Sequence, residues 1–392
     1  MSTPLALAGI TVLDLSTVGP AARCTRLLAD YGARVVKVGP VPSADAAPIQ
    51  PQFFAYSGHR GMRRALFDLK DDDGRAAFLA LAAAADVVVE SFRPGVVDRL
   101  GIGYAAVAER NPGIVYCSTS GYGQDGPHAQ WAGHDLDYLA VGGFLAMSTP
   151  GADGAPPLPG ATIADAAAGG MQAALAITAA LAGRAQTGVG AYLDVSVADG
   201  VLWLMSLAID EQLARGGEIH PGHDILSGRY ACYATYRTAD DKWVAVAAIE
   251  PKFFANLCAA LECTELAAAQ LDDEAQPRLR AAFAAAFARR TRDEWVDLLS
   301  GADTCVAPVL DIHEVAAYPQ FAARRTVTTA THPTEGSFRQ LAPVLAGMDR
   351  AGAAPLPDMA AGVADTDTEH LLKEAGVDGE TVARWVDRGV VA

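Results

Sequence analysis

The chain of 392 residues is long enough for two domains, and its 51% hydrophobic and 19% charged residues are typical of a folded protein rather than a disordered one. The 30 Lys and Arg residues against 46 Asp and Glu residues give a formal charge of −16, which argues against nonspecific binding to nucleic acid or to an anionic membrane. Any anionic ligand must therefore be held by a local cluster of basic residues.

The first half of the chain alternates strands and helices. Apolar, β-branched runs predict strands at 10–16, 34–38, 86–91 and 113–120, with amphipathic or Ala-rich helices between them. The helix in DLKDDDGRAAFLALAAAA carries acidic residues in its first turn, where the helix dipole favours them. Repeated β-α units with nearly continuous apolar strands predict an α/β fold, with a parallel sheet covered on both faces.

The pattern changes near residue 220. Before it, AYLDVSVADG is a possible strand that leads into the helix VLWLMSLAIDEQLARGG. After it, RYACYATYR and KWVAVAAI, separated by TADD, predict a hairpin, and helices are expected at 251–262, 275–289 and 292–300. We expect a smaller α+β domain at 225–330, with the C-terminal tail returning to the first domain.

The cysteines and the N-terminus favour a cytoplasmic location. The 6 cysteines form no C-x-x-C pair, which is typical of reduced structural thiols. MSTPLALAGITVLDLS has no basic segment before its apolar residues, so we expect no signal peptide. We interpret the Ala- and Gly-rich stretch 166–183 as a buried helix packed through small residues rather than as a membrane span.

A glycine-rich loop, GYGQDGP, follows the strand at 113–120 and contains the spacing G-x-G-x-x-G. A dinucleotide fingerprint needs its glycines at the first strand-to-helix turn and a helix that begins at the third glycine. Here the glycines follow roughly the fourth strand, and Pro127 comes directly after the third one. We therefore interpret the segment as an active-site loop whose glycines let a ligand approach backbone N–H groups.

Charged residues follow this loop. GHDLDY places His134 and Asp135 at a turn with Tyr138 nearby, and Asp165 stands at the head of the Ala/Gly helix, where the helix dipole favours its anionic form. A single histidine is more often structural than catalytic, and an aspartate at a helix start is often an N-cap. Both interpretations of Asp165 can hold together.

These segments together resemble the family III CoA-transferases, also called the CaiB/BaiF type, and especially their α-methylacyl-CoA racemase branch. The resemblance rests on GYGQDGP, AGHDLDYLAVGG and IADAAAGGMQAALAITAALAGRAQTGVGAYLDVSVADG, and also on ESFRPGVVDRLGIGY, VAVAAIEPKFF and CVAPVL. It implies a large Rossmann-like domain at 1–220 completed by the tail 331–392, and a small α+β domain at 225–330. It also implies a homodimer of interlocked subunits with the active site between them.

The resemblance further implies that His134 and Asp165 are the acid/base pair of a racemase and that Glu250 contacts the histidine. Racemising a 2-methylacyl thioester requires one base to remove the α-proton and a second to return a proton to the opposite face. The enolate intermediate needs preorganised donors, which backbone N–H groups of the loop at Gly121 and Gly123, or of the helix start at Asp165, can supply.

Coenzyme A is expected only as part of the acyl-CoA substrate, and no permanently bound cofactor is expected. By the resemblance, Arg93 in FRPG and Arg63 in HRGMRRALFDLK contact the CoA phosphates, and Tyr138 is a further CoA contact. No metal is expected, because the 8 histidines form no H-E-x-x-H and no Cys/His cluster has ligand spacing.

The alternative reaction is CoA transfer, in which Asp165 attacks the thioester carbonyl and CoA passes to an acceptor carboxylate. His134 favours the racemase, because transferases of the family generally lack a histidine there. The sequence departs from the racemase pattern where VVKVGPVPS lacks an arginine, where Met62 replaces lysine, and where SGRYACY and Ala161 stand near the expected acyl pocket. These departures leave open an acyl chain other than the branched one.

Overall fold

A six-stranded parallel sheet organises the first of two compact units. The computed structural model describes residues 5–41, 58–350, 356 and 366–392. Its strands are β1 (Thr11–Asp14), β2 (Arg34–Gly39), β3 (Arg63–Leu66), β4 (Val87–Glu90), β5 (Val115–Ser120) and β6 (Ala191–Ser196). They lie in the order β3-β2-β1-β4-β5-β6. The strand order changes direction between β1 and β4, and open α/β sheets bind ligands beyond the carboxyl ends of their strands at such a point.

The helices come in this order along the described residues: α1 (Gly19–Asp30), α2 (Asp72–Ala83), α3 (Val96–Arg99), α4 (Tyr104–Arg110), α5 (Asp135–Val141), α6 (Phe144–Met147), a π-helical segment (Ala164–Met171) that continues as α7 (Gln172–Thr187), α8 (Val197–Leu204), α9 (Ser206–Arg215), α10 (Pro251–Ala260), α11 (Gln276–Phe287), α12 (Arg292–Leu299), α13 (Ile312–Val315), α14 (Pro319–Ala323), α15 (Thr368–Glu374) and α16 (Gly379–Asp387). Short 3₁₀ helices span Ile225–Ser227 and Thr264–Ala269.

Both faces of the parallel sheet are buried, because successive strand residues enter two different hydrophobic cores. In β1, Leu13 packs in one core with Phe78 of α2, whereas Val12 packs in the other with Leu28 of α1 and Ile177 of α7. A strand covered on both faces needs apolar residues at consecutive positions rather than at alternating ones. This requirement explains the nearly continuous apolar runs, and the α/β fold with a parallel sheet is confirmed.

The C-terminal tail packs on the first unit. Trp385 of α16 and Leu371 of α15 lie in the core that contains Phe78, and Leu66 of β3 donates its backbone N–H to Thr368 Oγ1 at 2.9 Å. The first unit comprises 1–143, 159–207 and 319–392, and it includes an antiparallel hairpin, β10 (Val327–His332) and β11 (Gly336–Leu341).

The second unit comprises Phe144–Leu158 and Ala208–Tyr318. Its antiparallel sheet has the order β7-β8-β9, formed by β7 (Tyr233–Arg237), β8 (Trp243–Ala247) and β9 (Val306–Pro308). The predicted hairpin is thus confirmed, and β9 adds a third strand. The core beside it contains aromatic rings of Tyr236, Phe283, Phe287 and Trp295.

The Ala/Gly-rich helix packs at backbone distance on its neighbours. A Cβ on Gly169 would lie 2.5 Å from Cβ of Pro20, and a Cβ on Gly200 of α8 would lie 2.1 Å from the carbonyl oxygen of Ala168. The expected close packing through small residues is therefore present. The whole helix, Ala164–Thr187, is also long and apolar enough to cross a membrane, with 39% of its most apolar window buried, but core helices of soluble proteins share these properties.

Two segments differ from the sequence predictions. Arg63–Leu66, for which no strand is predicted above, forms β3, so the glycine loop follows the fifth strand. The helix expected in VLWLMSLAIDEQLARGG begins earlier, at Val197, and divides at Met205 into α8 and α9. Apolar residues continue across Met205, so the pattern alone gives no sign of the division.

Candidate active site

The glycine loop turns sharply beyond the carboxyl end of β5 and packs against Tyr138 of α5. A Cβ on Gly121 would lie 2.5 Å from the Tyr138 ring, and Gly123 has a φ of +86°, which favours glycine. The Tyr138 hydroxyl donates to the Gly133 carbonyl at 2.6 Å, and burial raises its pKa to about 12. These glycines therefore have a packing role, whatever ligand the loop contacts.

Asp135, the residue after His134, brings His134 and Asp165 into the same region through a hydrogen bond. His134 is the N-cap residue of α5, and its backbone N–H donates to Asp137 Oδ2 at 2.9 Å. The next residue, Asp135, accepts the backbone N–H of Asp165 on its Oδ1 at 2.8 Å. The start of α5 is thereby tied to the start of the π-helical segment. The His134 side chain is exposed, and Asp165 is half-buried.

The surroundings of Asp165 shift the pKa of its carboxyl group in opposite directions. Burial and then the Asp135 carboxylate raise the pKa of the Asp165 carboxyl, whereas Arg23 and His134 lower it. Arg23 of α1 is also held close by a hydrogen bond to Thr162 Oγ1 at 2.6 Å. A carboxylate with a raised pKa is a stronger base and a stronger nucleophile, and the arginine and histidine limit its protonation.

Two details of the predicted roles change. Asp165 is not an N-cap, because it lies inside the π-helical segment and its side chain caps no backbone group there. Its own backbone N–H is engaged by Asp135, so the helix start at Asp165 is not a free donor for an enolate oxygen. The glycine loop remains the predicted source of such donors.

The two predicted phosphate contacts differ in their surroundings. Arg93 is exposed in the loop directly after β4, at the carboxyl edge of the sheet, and no ion pair joins it to another described residue. Arg63 of β3 lies beside Asp367, with its Nη1 3.7 Å from Oδ1, and its side chain is 40% exposed. A free arginine at the end of a parallel strand suits a phosphate better than one that already faces a carboxylate.

Glu250 belongs to the second unit, where it is the exposed N-cap residue of α10 without a side-chain capping bond. Its predicted contact with His134 rests on the family resemblance and stays a prediction.

A cavity of about 220 Å³ lies beside the glycine loop, between it and α8. Its lining includes Tyr122, His128, Asp199 and Leu202. Neither His134 nor Asp165 lines the cavity, so it does not enclose the predicted acid/base pair. Tyr122, which lines the cavity, also contacts α5, because its ring packs edge-on against the ring of Tyr138 with centroids 5.3 Å apart.

A buried acid that the sequence pattern does not indicate stands three positions before Arg93 in the chain. Glu90 is the last residue of β4 and only 2% exposed, and its Oε2 accepts the backbone N–H of Phe92 at 2.7 Å. Burial raises its pKa to about 7, with a smaller contribution from Asp98. It ends an apolar run in the sequence, where an exposed loop residue is the ordinary expectation.

Comparison with known proteins agrees with this architecture. The family model of CoA-transferase family III matches residues 7–358, and the chain therefore belongs to that family. It is 38% identical to the human alpha-methylacyl-CoA racemase over 79% of each chain, and 34% identical to the acetyl-CoA:oxalate CoA-transferase of Acetobacter aceti over 81% of this chain and 84% of that one. The family resemblance inferred from the sequence is confirmed, and the family contains both racemases and CoA-transferases.

The fold is also similar to a solved structure. The crystal structure of a CAIB/BAIF family protein from Brucella suis superposes with a TM-score of 0.77 at 26% sequence identity. The superposition covers 95% of this chain and 100% of the other.

Proposed function

We propose that the protein racemises the α-carbon of a 2-methylacyl-CoA by removing a proton and returning one to the opposite face. The observation that carries the proposal is the hydrogen bond from the Asp165 backbone to Asp135, which ties His134 and Asp165 to one region at the carboxyl side of the sheet. The similarity to racemases supports the same reaction. The α-proton of a thioester is weakly acidic, and a two-face proton transfer needs one acid/base group on each face of the α-carbon, which a histidine and an aspartate can supply.

In this proposal His134 and Asp165 alternate as acid and base, and Arg93 binds a CoA phosphate. The raised pKa of Asp165 brings the carboxylate closer to the basicity that α-proton removal needs. The enolate oxygen is stabilised by backbone N–H groups of the glycine loop. Arg93→Ala is then expected to weaken acyl-CoA binding in a salt-sensitive way.

The test is incubation of the purified protein with 2-methylacyl-CoA in deuterated water, followed by the mass of the thioester. One deuterium is expected at the α-carbon, and inversion of that carbon, measured by chiral separation of the hydrolysed acid, should disappear in Asp165→Asn and in His134→Ala. His313→Ala and Asp153→Asn, which change exposed residues of the second unit, are matched controls that should retain exchange. Undiminished inversion in either active-site variant contradicts the assigned roles.

CoA transfer is the second candidate, and the similarity to acetyl-CoA:oxalate CoA-transferase favours it. Asp165 would then attack the thioester carbon, expel CoA as a thiolate and form a mixed anhydride. Hydroxylamine would trap this anhydride on Asp165, no α-deuterium would appear, and CoA would pass to an added carboxylate.

We further propose that the protein acts as a homodimer. Support comes from large apolar side chains that the first unit leaves exposed, Leu175 at 71%, Trp203 at 76% and Leu207 at 75%. Exposed apolar groups of this size often mark a protein interface. Sedimentation should give a dimer, and an active monomer would contradict the proposal.

A further inference from the structure

Three potential metal ligands converge in the second unit, and none of them is a residue to which acyl-CoA chemistry is assigned. Glu211 lies on α9, and His223 and Asp224 lie in the turn that leads into the 3₁₀ helix Ile225–Ser227. His223 Nε2 is 3.2 Å from Glu211 Oε2 and 3.4 Å from Asp224 Oδ2. One ligand atom from each residue lies within 4.8 Å of the other two.

The histidine is oriented with one nitrogen committed elsewhere. His223 Nδ1 lies 3.1 Å from the carbonyl oxygen of His220, which can only accept, so Nδ1 carries the proton and donates. The lone pair of Nε2 then points at the two carboxylates. The side chain is 11% exposed, so water cannot freely surround this nitrogen. A metal-binding histidine typically donates its second ring N–H to a carbonyl in this way.

Each carboxylate also has one oxygen held from outside the cluster. Asp224 Oδ1 accepts the backbone N–H of Ser227 at 2.7 Å, and Glu211 Oε1 lies 3.3 Å from Nη1 of Arg215. The other oxygen of each group faces Nε2 of His223. These contacts involve the other polar atoms of the three side chains. They orient His223 Nε2, Glu211 Oε2 and Asp224 Oδ2 towards one another.

Three acceptors that face one another require a positive charge between them. A proton on Nε2 supplies one, but a single N–H can be directed well at only one of two oxygens. Zinc bonds to nitrogen and oxygen of about 2.0–2.1 Å imply edges of roughly 3.3 Å in a tetrahedral site. The two distances from His223 Nε2 to the carboxylate oxygens, 3.2 Å and 3.4 Å, lie on either side of that edge.

We propose that Glu211, His223 and Asp224 bind a divalent metal ion of the zinc class, with a water molecule as the fourth ligand. Imidazole and carboxylate ligands suit zinc, and similar first-row ions compete for such a set. The ion would link α9 to the turn before β7. This site differs from the sequence expectation of no metal, because Glu211 is separated by 12 positions from His223 and no spacing rule joins them.

The test is zinc binding to the full chain after chelator treatment, measured by calorimetry. Exposed Cys305 is a competing ligand, so all proteins carry Cys305→Ser. One zinc ion per chain is expected, together with a raised unfolding temperature and, after cobalt substitution, the visible absorption of a tetrahedral site. Glu211→Gln, which keeps the size of the side chain, and His223→Ala should each lower the affinity at least tenfold.

His220→Ala is the matched control, because it removes a neighbouring ring while leaving the carbonyl that orients His223. It should bind zinc as the parent does. Absence of stoichiometric binding in the parent protein, or equal binding in Glu211→Gln and His223→Ala, would overturn the proposal. Histidine NMR that shows His223 protonated on both nitrogens at neutral pH in the presence of zinc would assign the cluster to an imidazolium ion pair instead.

Discussion

Glu90 should make the stability of the first unit depend on pH, and Glu90→Gln should remove that dependence. The carboxyl group is 2% exposed at the end of β4, and burial raises its pKa from 4.5 to about 7. Below pH 4.5 the group is protonated in both the folded and the unfolded chain. Between these two values the unfolded chain releases the proton first, so the free energy of unfolding falls as the pH rises.

The size of the effect follows from the two pKa values. At about 1.4 kcal/mol for each pH unit, the folded state loses about 3 kcal/mol by the time the pH exceeds 7. Glutamine keeps an oxygen that can accept the Phe92 N–H, and it carries no charge. Relative to the parent protein, Glu90→Gln should therefore become more stable by about 3 kcal/mol between pH 4.5 and pH 8.

The assay is urea unfolding at several pH values, followed by hydrogen-exchange protection of β4 and β5 so that the first unit is observed by itself. Glu109→Gln, at an exposed position of α4, removes one negative charge without changing the core and serves as the control. If the stability difference between Glu90→Gln and the parent is the same at pH 4.5 and pH 8, the carboxyl does not titrate as argued.

Two other changes test packing and charge. Gly200→Ala should destabilise the first unit by about 3 kcal/mol in urea unfolding, because the new Cβ would lie 2.1 Å from the Ala168 carbonyl oxygen. Gly183→Ala, in open space on α7, should instead stabilise the unit by about 0.5–1 kcal/mol. Similar changes in the two variants would refute the packing argument. Asp135→Asn keeps an acceptor for the Asp165 N–H but removes a charge that raises the pKa of the Asp165 carboxyl. The acidic limb of the pH profile of kcat/KM should therefore move to lower pH. An unmoved limb would count against the coupling between the two carboxyl groups.

Much of the sheet follows from local sequence. The runs 34–38, 86–91 and 113–120 become β2, β4 and β5 with shifts of at most two residues at their ends, because strands buried on two faces need continuous apolar residues. β3 escaped prediction because Arg63–Leu66 contains two arginines and only two apolar residues. β3 pairs with β2 and is hydrogen-bonded to Thr368 of the C-terminal tail. The tail is about 300 positions away in the sequence, so the residues around β3 do not indicate this contact.

The candidate site was predictable in residue type but not in arrangement. His134 and Asp165 stand out beside glycine-rich segments, yet the contact that joins their elements is made by Asp135 across 30 positions. The π-helical geometry of Ala164–Met171 also lies beyond local propensity, since it accompanies backbone-distance packing of Gly169 on Pro20. π-helical turns in proteins frequently occur at functional sites.

Replacement of His134 should distinguish the two candidate reactions, because His134 is one of the groups that lower the pKa of Asp165. A racemase needs His134 to act on one face of the α-carbon, so its loss abolishes inversion at that carbon at every pH. A transferase needs only the Asp165 carboxylate, and loss of the histidine removes one of the groups that lower its pKa. His134→Ala should then retain CoA transfer and a hydroxylamine-trapped Asp165 adduct, with the acidic limb displaced to higher pH. The same variant thus loses one reaction entirely and merely shifts the pH profile of the other.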